Sequence, residues 1–456
     1  MKALKAVLMI AAGLVAVVVI LTGAGFYLAN RYVQSPAFQE RVLSTAREKL
    51  GSDVHLGEFH ASLFSGVTLR GVTIGNPTNF PGNLLTADAF VLRYRLLPLL
   101  HRRVEIEQLS LDKPVITFEQ NDQGAWNYEK IGGNEGNPNL PPAKPPATTA
   151  PAAKPGVAIP FDIVLSKLAI THGAILLLGE NDKPLVKIDG ADFSSSLSFA
   201  GNTLSGTGKA SLDKVSVAES LFVQNFAAPV SLATNQVKLA PLSGRMANGS
   251  VTGDVTLELM PAFKYAVNVQ LKNSDVARLL AEAGAKQVMN GKLEVVASLQ
   301  GTGGLPTMAG QGHAKITDGQ LVEIPVLNLL ASLLQIDALR NLKFSECLLE
   351  FVITNNVMQT PVIRLTSPQI QITGKGTVAL DDYTLNHDMT IAFASGALDR
   401  LPKEIRNLFT QRQDGSLALD FRVWGPYNAP KTDLQSRLVK GAAEQLIQKG
   451  LQQLLR

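Results

Sequence analysis

Histidine is the side chain best suited to hold a metal or move a proton near neutral pH. The six here, His55, His60, His101, His172, His313 and His387, are scattered along the chain. No HExxH and no paired-cysteine spacing accompanies them, so a metal site has no support. His55, Glu58 and His60 are close in sequence, but in an extended strand His60 and Glu58 share a face while His55 points away. That suits a solvated edge better than a ligand set. There is no GxSxG nucleophile elbow. Gly201 and Gly206 have the first spacing of a phosphate loop, with Thr207 where that loop needs lysine. The run GKGTVA over 374–379 imitates a dinucleotide fingerprint but leads into a strand-like stretch, leaving no helix N-terminus for a pyrophosphate. Asp381 and Asp382 sit in a DDY turn, where aspartates are expected for backbone reasons. Cys347 is the only cysteine, so no intrachain disulfide exists. It lies in the apolar run SECLLEFVI and reads as a buried, inert thiol. An enzyme is not expected from these residues, nor a cofactor.

Charge excludes another class. A net charge of +4 over 456 residues gives no reason to expect nucleic acid, whose binding surfaces are far more basic. Apolar residues at 46% against 18% charged argue for folded cores rather than wholesale disorder.

The elements that would position any site are mostly strands. Val251, Val255, Leu257 and Leu259 alternate with Thr252, Asp254, Thr256 and Glu258. Leu293, Val295, Ala297 and Leu299 repeat the pattern, as do Leu417, Leu419, Phe421 and Val423 opposite Ala418, Asp420 and Arg422. Nearer the N-terminus Val67, Leu69, Val72 and Ile74, then Phe90, Leu92 and Tyr94, then Val104 and Ile106 do the same. A period of two marks half-buried antiparallel strands. Glycines recur where strands begin, as turn and bend positions of a long meander. Alternation alone fits ordinary sandwiches or barrels as well as an open sheet.

Helices are few. Residues 35–50 predict a short amphipathic helix with Ser35 as cap, Pro36 at its first position and Gly51 at its end. Shorter helices are predicted over 275–283, capped by Ser274, and over 402–411. A basic amphipathic one is predicted over 432–455. The most apolar helix opens with Pro325 after a turn at Asp318-Gly319. Val326, Leu327, Leu329, Leu330, Leu333, Leu334 and Ile336 leave only Asn328, Ser332 and Gln335 as a thin polar stripe. Such a helix must be mostly buried, in protein or in lipid.

Residues 6–29 carry no charge. At about 1.5 Å per residue a helix there spans about 36 Å, enough to cross a bilayer. Lys2 and Lys5 before it favour a cytoplasmic N-terminus at 1–5 and an exported remainder. An uncleaved anchor is expected rather than a signal peptide, whose apolar core is usually shorter. Residues 132–160 are rich in proline and alanine and read as a linker. The expected organisation is therefore an anchor over 6–29, a β domain over 30–131, the linker, a second β domain over 161–429 and a terminal helix over 430–456.

The order GQGHAKITDGQLVEIPVLNLLASLLQI, strand, Asn355-Asn356 turn, strand, QIQITGKGTVALD resembles the C-terminal region of the AsmA family. The runs SLFSGVTLRGVTIGNP and RYRLLPLLHRRVEIEQLSLDKPVI, with Gly124-Ala125-Trp126-Asn127, resemble its N-terminal region. The resemblance implies a mainly β protein, anchored in the inner membrane of a diderm bacterium and exposed to the periplasm. Its long curved antiparallel sheets would form apolar grooves, with a few short helices. The family's link to phospholipid traffic implies the inner membrane and phospholipid as partners. Of the strand residues named above, Val251, Val255, Leu257, Leu259, Leu293, Val295, Leu299, Leu417, Leu419, Phe421 and Val423 become candidate groove linings. The alternative is a non-enzymatic factor that governs insertion of proteins into the outer membrane, with an outer-membrane or periplasmic protein as partner.

Overall fold

The computed structural model describes residues 30–77, 80–95, 98, 103–122, 125–127, 162–179, 182–200, 203–258, 264–302, 307–399 and 403–438. The expected anchor, the linker and the end of the terminal helix lie outside them. Among the described residues no helix is long and apolar enough to cross a membrane. The chain forms two compact units, 1–219 with 230–234 and 220–229 with 235–456. The protein is mainly β, with few short helices.

In the first unit α1 (Pro36–Leu50) begins and ends as its sequence dictates. Ser35 accepts a hydrogen bond from the Phe38 N–H, Pro36 fills the first turn, and Gly51 closes the helix at φ 65°. Strands β1 (Val54–His55) and β2 (Glu58–Ser62) both pair with β3 (Gly66–Gly75), which pairs with β4 (Asn83–Arg95). Next come β5 (Arg103–Asp112) and β6 (Val115–Glu119). Each lies antiparallel to β4 and parallel to β7 (Asp162–Leu178). Strands β8 (Pro184–Ala200) and β9 (Thr203–Val217) follow as antiparallel neighbours.

This pairing changes the expected organisation. The sheet is mixed, and the strand after 132–160 completes the sheet begun before it. The division falls at Glu219 instead of at the linker. The physical reason is the parallel register, because parallel neighbours need a crossover of a dozen or more residues, which a hairpin cannot supply. Asn127, fully buried, ties the unit together: its amide donates to Asn76 Oδ1 (2.9 Å) and to the Thr117 carbonyl (2.8 Å) and accepts from the Glu119 N–H (3.2 Å).

The second unit is a meander. After β10 (Leu221–Ala233) come β11 (Gln236–Met246), β12 (Gly249–Glu258), β13 (Lys264–Asp275), α2 (Val276–Glu282), β14 (Met289–Thr302) and β15 (Ala309–Val322). The helix α3 (Pro325–Leu334) leads to β16 (Asn341–Thr354), β17 (Val357–Thr366), β18 (Ile370–Ala379) and β19 (Thr384–Phe393). The last elements are α4 (Lys403–Arg406), β20 (Thr410–Gln411), β21 (Leu417–Pro426) and β22 (Lys431–Thr432). Each long strand from β11 to β19 pairs antiparallel with the next, and β19 pairs with β21.

Four local expectations are corrected. Asp318-Gly319 is not a turn: β15 runs through it, Thr317 and Gln320 pairing with both β14 and β16, while Asp318 at φ 49° is absorbed as a bulge. The cap of α2 is Asp275, which accepts from the Arg278 N–H. Ser274 is still strand, its hydroxyl donating to the Met246 carbonyl. Among the described residues of the predicted 402–411 segment only Lys403–Arg406 is helical; Thr410–Gln411 pairs with β21 instead. The last helix starts at Leu434, because Lys431–Thr432 also pairs with β21.

Glycines on the sheet mark close approach. At Gly312 a Cβ would overlap the Val296 carbonyl and the Phe351 ring. Gly312→Val should therefore cost about 1–3 kcal/mol by overpacking, read as a lower thermal midpoint.

Candidate functional site

Cross-strand register sorts the side chains of the second unit onto two faces. Val251, Val255 and Leu257 of β12 stand opposite Leu271, Val267 and Tyr265 of β13. Those in turn meet Val295, Leu299 and Gly301 of β14, and Val295 meets Ala314 of β15. Thr252, Asp254, Thr256 and Glu258 fall on the other face with Gln270, Asn268, Ala266 and Lys264. One face is apolar and the other polar, as the period of two requires.

The apolar face is covered unevenly. One cluster joins Leu321, Leu342, Phe344, Leu365, Ile391 and Phe393 of the sheet to Leu327, Leu330, Ala331 and Leu334 of α3, and to Leu434 and Leu438 after β22. The Phe393 and Phe409 rings meet edge-on at 5.6 Å. The apolar helix is thus buried in protein, with Ser332 and Gln335 exposed as its polar stripe. The side chains of Val326 and Leu333 lie outside the described residues. Leu417, Leu419, Phe421 and Val423 belong to this helix-covered cluster, Phe421 buried and the other three partly so.

A second cluster is made of strand residues alone. Ala228, Leu242, Val251 and Leu271 are its buried members; Phe226, Leu239, Met246, Val255, Val269, Leu293 and Val295 are only partly covered. No described helix contributes to it. So buried Val251 and partly buried Val255, Leu293 and Val295 come together on a stripe that no described helix covers, Leu257 and Leu299 share their face by register, and Leu259 lies outside the described residues. Sequence reading missed Leu239 and Leu242 because a bulge between them breaks the period of two, for which Pro241 was the available signal. Val267, Val269 and Leu271 alternate plainly and were legible.

Polar groups on the apolar face are few and engaged. Thr360 Oγ1 and His387 Nε2 lie 3.0 Å apart, both buried. Burial holds the imidazole below its ordinary pKa, against a smaller opposing pull from Asp388. A histidine kept neutral in the fold binds its proton more readily when unfolded. Stability is therefore complete above the ordinary imidazole value near pH 6.5 and falls as pH drops below it. We expect a lower unfolding midpoint at pH 5.5 than at 7.5, and a smaller difference in His387→Gln. Cys347, partly buried, stands between Ile316 and Leu365, and burial raises its thiol pKa, which disfavours the thiolate.

The residues with chemical potential do not converge. His55, Glu58 and His60 are exposed on the short edge strands. Asp381 accepts from the Asp382 N–H and Asp382 from the Thr384 N–H, both at 2.9 Å, so these carboxylates build a turn. The hydroxyl and N–H of Thr384 hold the Asp382 carboxyl below the usual range. Among the described residues no group of three or more His, Cys, Asp or Glu side chains is placed to hold a metal.

Family comparison agrees with the architecture. The model of the AsmA family matches residues 1–211 and 200–363. No curated protein matches the chain, and no solved structure does. The family match runs through the first unit and on into β17, over most of the chain, and this protein is therefore a member of the AsmA family.

Proposed function

We propose that this protein is a non-enzymatic lipid carrier. It is held in the inner membrane by residues 6–29, with its N-terminus cytoplasmic and its β units periplasmic. It binds phospholipid on the uncovered apolar stripe of its second unit and serves outer-membrane lipid homeostasis. The observation that carries this reading is the stripe itself, where Val255, Val269, Leu293 and Val295 are only partly buried and no described helix packs into their cluster.

Apolar side chains left in water gain free energy from any hydrocarbon laid against them. Each methylene removed from water is worth about 0.8 kcal/mol, so an acyl chain along several strands gains several times that. The head group stays in water beside the stripe. Family membership supports the same reading.

The test is direct. Protein extracted in mild detergent and analysed by mass spectrometry is expected to carry phospholipid. Lipid-free protein under the same conditions would remove the proposal and leave the outer-membrane assembly factor as the better account.

A further inference from the structure

We infer that the polar face of the last long strands, β17 to β21, is a binding site for an uncharged oligosaccharide that stacks on Trp424. It is independent of lipid carriage, because it uses the face opposite the apolar one. Register builds the site in rows. Gln359, Thr377, Asn386 and Trp424 stand side by side across β17, β18, β19 and β21. The next row is Lys375, Asp388 and Arg422, and the one after it Thr373, Thr390 and Asp420. Two depressions of about 530 and 320 Å³ lie over these rows and share Pro361, Lys375, Asp388 and Arg422. From Gln359 to Trp424 there are three strand spacings, about 14 Å, which gives room for about two or three sugar rings of about 5 Å each.

The polar groups are held in place and balanced. Arg422 donates to Asn386 Oδ1 at 3.0 Å and pairs with Asp388 at 3.3 Å. The Thr390 hydroxyl donates to Asp420 at 2.7 Å, and Arg437 pairs with Asp433 at 2.7 Å. With Lys375, three cations meet three anions, so a phosphate or carboxylate finds no excess of positive charge. Sugar hydroxyls donate and accept at once, which suits amides, hydroxyls and paired charges.

The apolar groups narrow the class further. Tyr383, Trp424 and Tyr427 are 54%, 38% and 64% exposed, and no other large apolar side chain is exposed among the described residues from β17 to β22. They lie at one end of the polar rows. A protein interface puts its aromatic anchors at the centre and its polar groups around the rim. Tyr383 has φ 55°, left-handed backbone that a bulky residue rarely adopts, and its ring meets that of Tyr427 edge-on at 5.8 Å. Folding gains little from two rings left half in water. A sugar ring gains more: its C–H groups pack on the negative face of an aromatic ring while its hydroxyls reach the neighbouring amides.

The test uses the full chain in a detergent whose head group is not a sugar, titrated with the tetramer of N-acetylglucosamine and with cellotetraose. Calorimetry and tryptophan fluorescence should show saturable binding of one or both. Preference for the first assigns amino-sugar strands as the source, and preference for the second an unacetylated glycan. Trp424→Ala should weaken binding at least about tenfold, the loss of one stacked ring. Trp424→Phe keeps a ring and should retain most of the affinity. Asn386→Ala should weaken binding with the thermal midpoint held. None of the three should alter phospholipid content. If neither sugar binds, if Trp424→Ala binds as the unaltered chain does, or if inorganic phosphate displaces the tetramer, the saccharide site is overturned and the lipid reading is untouched.

Discussion

Val295→Asp is expected to strip phospholipid from the purified protein and leave its fold intact. Val295 sits in the middle of the uncovered stripe, opposite Leu271 on one side and Ala314 on the other. It is only partly buried, so the carboxylate keeps water in the lipid-free state and folding loses about 1 kcal/mol. With an acyl chain laid over it, the same carboxylate is desolvated without a partner, at a cost of at least about 2 kcal/mol. That is about a thirtyfold loss of affinity. Leu257→Asp should behave alike. The control is the next residue: Val296 faces the polar side and is exposed, so Val296→Asp should leave lipid content unchanged. Equal lipid in all three variants, measured per mole of protein, would move the binding site off this face.

The largest effect on stability is expected at Leu342. It has no exposed surface, lies opposite Leu321 in the sheet, and belongs to the cluster under α3. Leu342→Ala removes buried methyl groups from a site closed on both sides, which costs about 2–5 kcal/mol. Leu293→Ala, the same chemical change on the stripe without helices, should cost clearly less, because water already reaches that side chain. Chemical denaturation of both variants measures the contrast. Equal losses would mean that the stripe is as well covered as the helix-capped cluster.

Strand alternation was the most reliable signal in this chain, because a sheet with one wet face must alternate. Val251, Val255, Leu293 and Val295 were found that way. The apolar helix was equally legible from Pro325 and its narrow polar stripe. Places where the period breaks were not. The bulges at Asp318 and between Leu239 and Leu242 add residues without ending a strand, so local pattern reads one as a turn and loses the other. Short helices at the edge failed for a different reason. Thr410 and Lys431 are drawn into pairing by the unsatisfied backbone of β21, a partner their own sequence does not contain.

Sequence by itself determined which side chains are greasy, which face of each strand they share, and that no catalytic or metal-binding constellation is spelled out. Periodicity is local, so these needed no knowledge of neighbours. Only the tertiary structure decided which part of the apolar face stays open. Leu417, Leu419, Phe421 and Val423 alternate as cleanly as Val251 and Val255, yet α3 and the helix after β22 join the cluster of the first set while no described helix joins the second. Coverage depends on where a distant helix comes to rest, and hydrophobic burial is indifferent to sequence separation.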